Sequence, residues 1–141
     1  MRQSKNVYTF KNELRNYDFY LERIKGIDEM IEYCYHMLGG VRAIDTSKEP
    51  VHGGAHNLDA EYRIREEIEH HEANKRYTQR KVDEMDKVLN QIDLIDREPI
   101  IAVYVKGNSI EKVSRKMFLS SSALGKRMDK ALSRILDEEK D

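Results

Sequence analysis

Residues 99–136 gather the side chains best suited to touching a polyanion. Lys106, Lys112, Arg115, Lys116, Lys126, Arg127, Lys130 and Arg134 are opposed there only by Glu111 and Asp129, eight basic residues against two acidic, a local charge of +6. Lysine and arginine neutralise phosphates and release condensed counterions. Ser121 and Ser122 lie among them, and hydroxyls donate or accept at a base edge or a phosphate. Lys126 and Lys130 are four apart, one helical turn, and Gly125 removes a side chain beside them.

Other reactive types are sparse. Glu67 and His70 match the Glu-x-x-His spacing of di-iron bundles, but that chemistry needs a second such motif on a facing helix. Residues 10–38 place Glu22, Glu29, Glu32 and His36 at no such spacing, so no metal is expected. His52 and His56 fall in a glycine-rich stretch without fixed spacing. The one cysteine, Cys34, excludes an internal disulfide and any cysteine-based zinc site. With no basic neighbour in sequence to stabilise a thiolate, it reads as a buried thiol. There is no phosphate-binding glycine loop, no Gly-x-Ser-x-Gly elbow and no His-Glu-x-x-His pair. The expectation is a protein with no catalytic residues and no cofactor.

The elements that must position the basic residues follow from periodicity. Leu14, Tyr17, Leu21, Ile24, Ile27, Ile31, Cys34 or Tyr35, and Leu38 recur at three- and four-residue spacing, predicting a helix over 10–38 that Gly39-Gly40 stops. Residues 39–57 hold four of the seven glycines and one of the two prolines, predicting a mobile loop. Ile64, Ile68, His71, Lys75, Thr78, Val82, Met85, Leu89 and Ile92 alternate spacings of four and three, a heptad seam within a helix over 58–96. The two helices are expected to fold as an antiparallel hairpin. The same seam serves an intermolecular coiled coil, and hence a homodimer, equally well.

Pro99 marks a boundary, with Asp96 expected to cap a helix whose first turn accepts the proline. A short helix over 100–106 ends at Gly107. Asn108 is expected to cap a second helix, with Glu111 at its third position. Phe118-Leu119-Ser120 makes a tight turn capped by Ser120, and a third helix starts at Ser121, striped by Leu124, Met128, Leu132 and Ile135. The expected fold is therefore all-α, divided into a helical hairpin over 1–98 and a helix-turn-helix module over 99–141. In such a unit the last helix enters the major groove and its N-terminal residues reach base edges.

The 141-residue chain is nearly neutral, at −1, with 36% charged residues. The average conceals segregation: residues 59–98 hold 12 acidic against 8 basic residues, in contrast to the basic segment after them. Apolar runs are too short for a membrane helix. The first residues lead into no apolar signal segment, which together with the lone cysteine predicts a cytoplasmic protein.

Tyr104-x-x-Gly107-x-Ser109-Ile110-Glu111-x-Val113, then Leu119-Ser120-x-Ser122-Ala123-Leu124 and Lys130-Ala131-Leu132, resemble region 4 of bacterial sigma factors. That region reads the promoter −35 element through a helix-turn-helix. With the N-terminal helices and Glu49-Pro50-Val51-His52-Gly53-Gly54, the whole resembles the ArpU/RinA-type late-gene activators of Gram-positive phages and prophages. The resemblance implies a transcriptional activator in a bacterial host cell. Its partners would be double-stranded promoter DNA and RNA polymerase. It places Ser121, Ser122, Ala123, Gly125 and Lys126 at base-reading positions. Lys112, Arg115 and Lys116 on the preceding helix can neutralise phosphates, and Arg127 and Lys130 complete the candidate DNA-binding set. An adaptor that binds polymerase through the sigma-like module, without reading DNA, is the alternative. Two residues depart from the sigma pattern: Ser114 stands where alanine is usual at the helix contact, and Phe118 where the turn glycine is usual.

Overall fold

The computed structural model describes the backbone of residues 5–47 and 50–138, and side chains over 6–41 and 58–137. All described regular structure is helical: α1 (Lys5–Arg15), α2 (Tyr17–Ser47), α3 (Pro50–Asn90), α4 (Leu94–Ile100) continued by a wide π-helical turn (Ile101–Val105), α5 (Ile110–Lys116) and α6 (Ser121–Glu138). The protein is all-α, and no described helix is long and apolar enough to cross a membrane.

Two boundaries differ from the periodic pattern for local reasons. The helix predicted over 10–38 is broken at Asn16. Its side-chain amide donates to the Asn12 carbonyl at 3.2 Å, while its own N–H turns to Glu13 O at 3.0 Å. An asparagine side chain thus competes with the helical ladder. The break shifts the stripe: Leu14, Ile27, Cys34 and Leu38 are buried, whereas Leu21 and Tyr35 are exposed.

The loop expected at 39–57 is helical at both ends. α2 continues through Gly39 and Gly40 to Ser47, and α3 begins at Pro50; residues 48 and 49 lie outside the described residues. Glycine permits the left-handed stop but does not impose it, at a cost of about 1 kcal/mol per residue inside a helix. Pro50 at a first helical position is compatible with its fixed φ and missing N–H.

The chain gathers into two compact units, which divide within α2 and α3 rather than at Pro99. One unit is Leu21–Arg80. In it Cys34 and Leu38 of α2 pack against Ile64 and Ile68 of α3, with Val41 alongside. Asp28 pairs with Lys75 at 2.6 Å. Numbers rise along α3 as they fall along α2, so these segments run antiparallel. Thr78 is buried and its hydroxyl donates to Asn74 O at 2.9 Å, so this polar seam residue is satisfied within its own helix, whereas Lys75 is paired with the facing one.

The other unit takes the chain up to Tyr20 together with the chain from Lys81 onward. Its single core joins Val7, Phe10 and Leu14 of α1 to Met85, Val88 and Leu89 of α3, with Ile92 just beyond. Ile100, Tyr104, Val113, Leu124, Met128, Leu132 and Ile135 complete it. The basic segment is thus not packed as a module apart. Full burial of Leu124, Met128 and Leu132 contributes about 2 kcal/mol each before the entropy cost of ordering them. Lys11 is also interior: its ammonium pairs with Asp129 and lies 5.2 Å from the centre of the Tyr104 ring. Tyr17 donates to Asp86 Oδ1 at 2.8 Å. Burial and that anionic acceptor push the phenol up to about 12.

Candidate nucleic-acid interface

The site is assembled by three chain reversals. At the first, α3 ends at Asn90 and α4 starts at Leu94, with Asp93 in extended geometry as its N-cap residue. Asp96, the expected cap, instead lies in the first turn, and Pro99 is inside the helix. Pro99 offers no N–H to the Ile95 carbonyl and crowds it. The backbone widens directly afterwards, where Lys106 N–H bonds Ile101 O at 2.9 Å across the π-helical turn. Gly107, at φ +76°, then ends the helix as expected.

The second reversal starts α5. Its cap is Ser109, whose hydroxyl accepts from Lys112 N–H at 3.2 Å, one residue later than the expected Asn108. Glu111 consequently sits at the second helical position, still close to the positive end of the helix dipole.

The third reversal joins α5 to α6. Leu119 N–H bonds Ser114 O at 3.0 Å and Phe118 N–H bonds Arg115 O at 3.2 Å. This is the Schellman pattern, which requires a left-handed residue between the two ends. Phe118 supplies it at φ 58°, with 94% of its surface exposed. Ser120 caps α6, accepting from Ala123 N–H at 3.0 Å. Ser114, the second departure from the sigma pattern, is buried, and its hydroxyl donates to Glu111 O at 2.9 Å.

This packing sorts the ten residues singled out from sequence. Ser122, Ala123, Lys126 and Lys130 are exposed along α6. Among the described residues, Lys126 and Lys130 take part in no ion pair. Ser121 and Gly125 are half-buried on the side of α6 that faces α5. Ser121 Oγ lies 3.4 Å from Ser114 Oγ, and a methyl on Gly125 would stand 3.6 Å from Ile110 Cδ1. A residue pair four apart shares one helical face, and here that face is the α5 contact. Arg127 is engaged at 2.6 Å with Asp96 of α4, which makes it a strut between helices.

On α5, Lys112, Arg115 and Lys116 are all exposed. Lys112 and Lys116 line a groove of about 310 Å³ with Ile95, Pro99, Ala102, Val113 and Met117, whereas Arg115 does not. Sequence reasoning missed this groove, because its walls come from α4 and α5 and depend on the break before Leu94. Compared with known protein families, with curated proteins and with solved structures, the chain matches none of them.

Proposed function

We propose that the protein is a sequence-specific DNA-binding transcriptional regulator, and that α5, the turn and α6 act as a helix-turn-helix. The observation that carries this reading is the exposed strip Ser122, Lys126 and Lys130 on a capped helix, with both ammonium groups outside any ion pair among the described residues. A helix so presented can lie in a major groove, with Ser122 and Ala123 at base edges and the lysines against phosphates. Arg115, Lys112 and Lys116 add cations from the preceding helix. The sigma region 4 and ArpU/RinA-type resemblance points to promoter DNA and to activation of phage or prophage late genes, without catalysis. Selection from a random duplex pool with the full chain tests this. The expected result is enrichment of one sequence, bound more weakly by Lys126→Ala; an unenriched pool after several rounds would overturn it.

The groove favours a second reading, in which the module docks on RNA polymerase. Ile95 is 65% exposed at its rim, and Pro99, Ala102, Val113 and Met117 give it an apolar floor, with Glu98, Asn108, Lys112 and Lys116 as its polar lining. Retention of core polymerase from nuclease-treated lysate, without any affinity for duplexes, would favour this adaptor reading.

A further inference from the structure

The unit Leu21–Arg80 carries a cluster that the proposed regulator role does not use. Glu67 and His71, four apart on α3, share a face, and Cys34 of α2 stands opposite them. The thiol sulfur, a carboxylate oxygen and an imidazole nitrogen all lie within 4.8 Å of one another. His71 Nε2 is 3.5 Å from Glu67 Oε1. A tetrahedral zinc ion with bonds of about 2.0–2.1 Å to nitrogen and oxygen sets that edge at about 3.4 Å, so this pair already has the right separation. An edge to sulfur is about 3.6 Å, so the thiol, within 4.8 Å of both other ligand atoms, closes in by no more than about 1.2 Å on binding. Cys34 is 4% exposed, and its thiol has no hydrogen-bond partner among the described residues. His70, the histidine singled out by Glu-x-x-His spacing, instead contacts Asn74 Nδ2 at 3.3 Å.

We propose that Cys34, Glu67 and His71 form a zinc site that ties α2 to α3. On binding, the Cys34 S–H bond breaks, its electron pair forms the S–Zn bond and the proton leaves to solvent. The ion's two positive charges are then balanced by one thiolate and one carboxylate, with His71 neutral, so the half-buried site carries no net charge. A thiolate with an imidazole selects a borderline-soft ion over magnesium or calcium. Glu67 is 60% exposed on its side chain, which leaves the fourth position open to water. The exclusion of any cysteine-based zinc site from the cysteine count is therefore too broad: it holds for sets of several thiolates, not for one thiolate completed by a histidine and a glutamate from two helices.

The test uses the untagged full chain, zinc and cobalt as probes, and a chromophoric chelator as competitor. The expected result is one zinc per chain, and with cobalt a thiolate charge-transfer band together with tetrahedral d–d absorption. Cys34→Ala abolishes the charge-transfer band. His71→Gln and Glu67→Gln each weaken affinity by about tenfold or more, and His70→Gln leaves it unchanged. Glu67 and His71 are not fully buried, so their variants decide the matter should Cys34→Ala fail to fold. No uptake by folded wild type, or affinity equal to wild type in His71→Gln, would overturn the proposal.

Discussion

Phe118 holds a left-handed backbone with its ring in solvent, a combination that ought to cost stability and return none through packing. The left-handed region costs a residue with a Cβ about 1–2 kcal/mol relative to glycine. Glycine in turn loses about 0.5–1 kcal/mol through its freer unfolded chain. With φ at 58° and 94% exposure, Phe118→Gly should relieve the first term and surrender almost no buried area. The net expectation is a gain of about 0.5–1 kcal/mol in unfolding free energy. Urea titration followed by circular dichroism reads it as a higher midpoint with an unchanged slope. Phe118→Ala is the control: it removes the ring, retains the Cβ and should leave the midpoint near wild type. A loss of stability in Phe118→Gly, or an equal loss in both variants, would refute the reasoning, since it would mean that the ring is packed or the backbone unstrained. A strained, exposed aromatic is also a candidate contact residue, so both variants are expected to weaken binding of whatever the turn touches.

Further outcomes follow from the same packing. Gly125→Ala places a methyl in ordinary contact with Ile110 Cδ1 at 3.6 Å. It should raise stability by about 0.5–1 kcal/mol through helix propensity and leave DNA affinity unchanged, measured by urea titration and anisotropy. Asp129→Asn leaves the Lys11 ammonium, 7% exposed, without its countercharge, and should cost about 3 kcal/mol. Lys11→Met removes that charge and leaves an Asp129 that water can reach, so its thermal melt should lie closer to wild type. Tyr17→Phe should cost about 1–2 kcal/mol near neutral pH by removing a hydrogen bond to a carboxylate. The folded phenol titrates at about 12 against 10.0 unfolded. Its contribution is therefore complete below pH 10 and lost as pH rises through 12. The difference between wild type and Tyr17→Phe should shrink across that window, and a difference that grew with pH would reverse the sign.

Much of this architecture is legible in the sequence because apolar spacing reports burial directly. Ile64, Ile68, Val82, Met85, Leu89 and Ile92 are all interior, as are Leu124, Met128, Leu132 and Ile135. Caps are legible where side-chain chemistry is local, as at Ser120 and Gly107. The cap of α5 falls one residue later than expected, because Asn108 and Ser109 are both good caps and only the preceding turn decides between them. The helical ends of the 39–57 stretch are not legible, because glycine lets a helix stop without making it stop. The division into units is hidden because α1 returns to pack with α6, a long-range contact that no local pattern reports.

Within the candidate site, exposure of Lys126 and Lys130 is legible from the opposing apolar stripe. The inward turn of Ser121 and Gly125 is not, since it depends on where α5 crosses α6. The pairing of Arg127 with Asp96 is equally hidden, since it joins residues 31 apart in sequence. Cys34 meets Glu67 and His71 only because of the register between α2 and α3.

Whether the α6 strip lies against duplex DNA is tested most directly by salt dependence. Anisotropy of a selected duplex is measured with the full chain from low to moderate salt, for wild type and for Lys126→Ala/Lys130→Ala. Affinity should fall linearly with salt on a logarithmic plot, and the double variant should reduce the slope by about 1.8, roughly 0.9 for each phosphate no longer neutralised. Duplex binding whose slope is the same in both proteins, or no duplex binding at low salt, would contradict a DNA-facing α6.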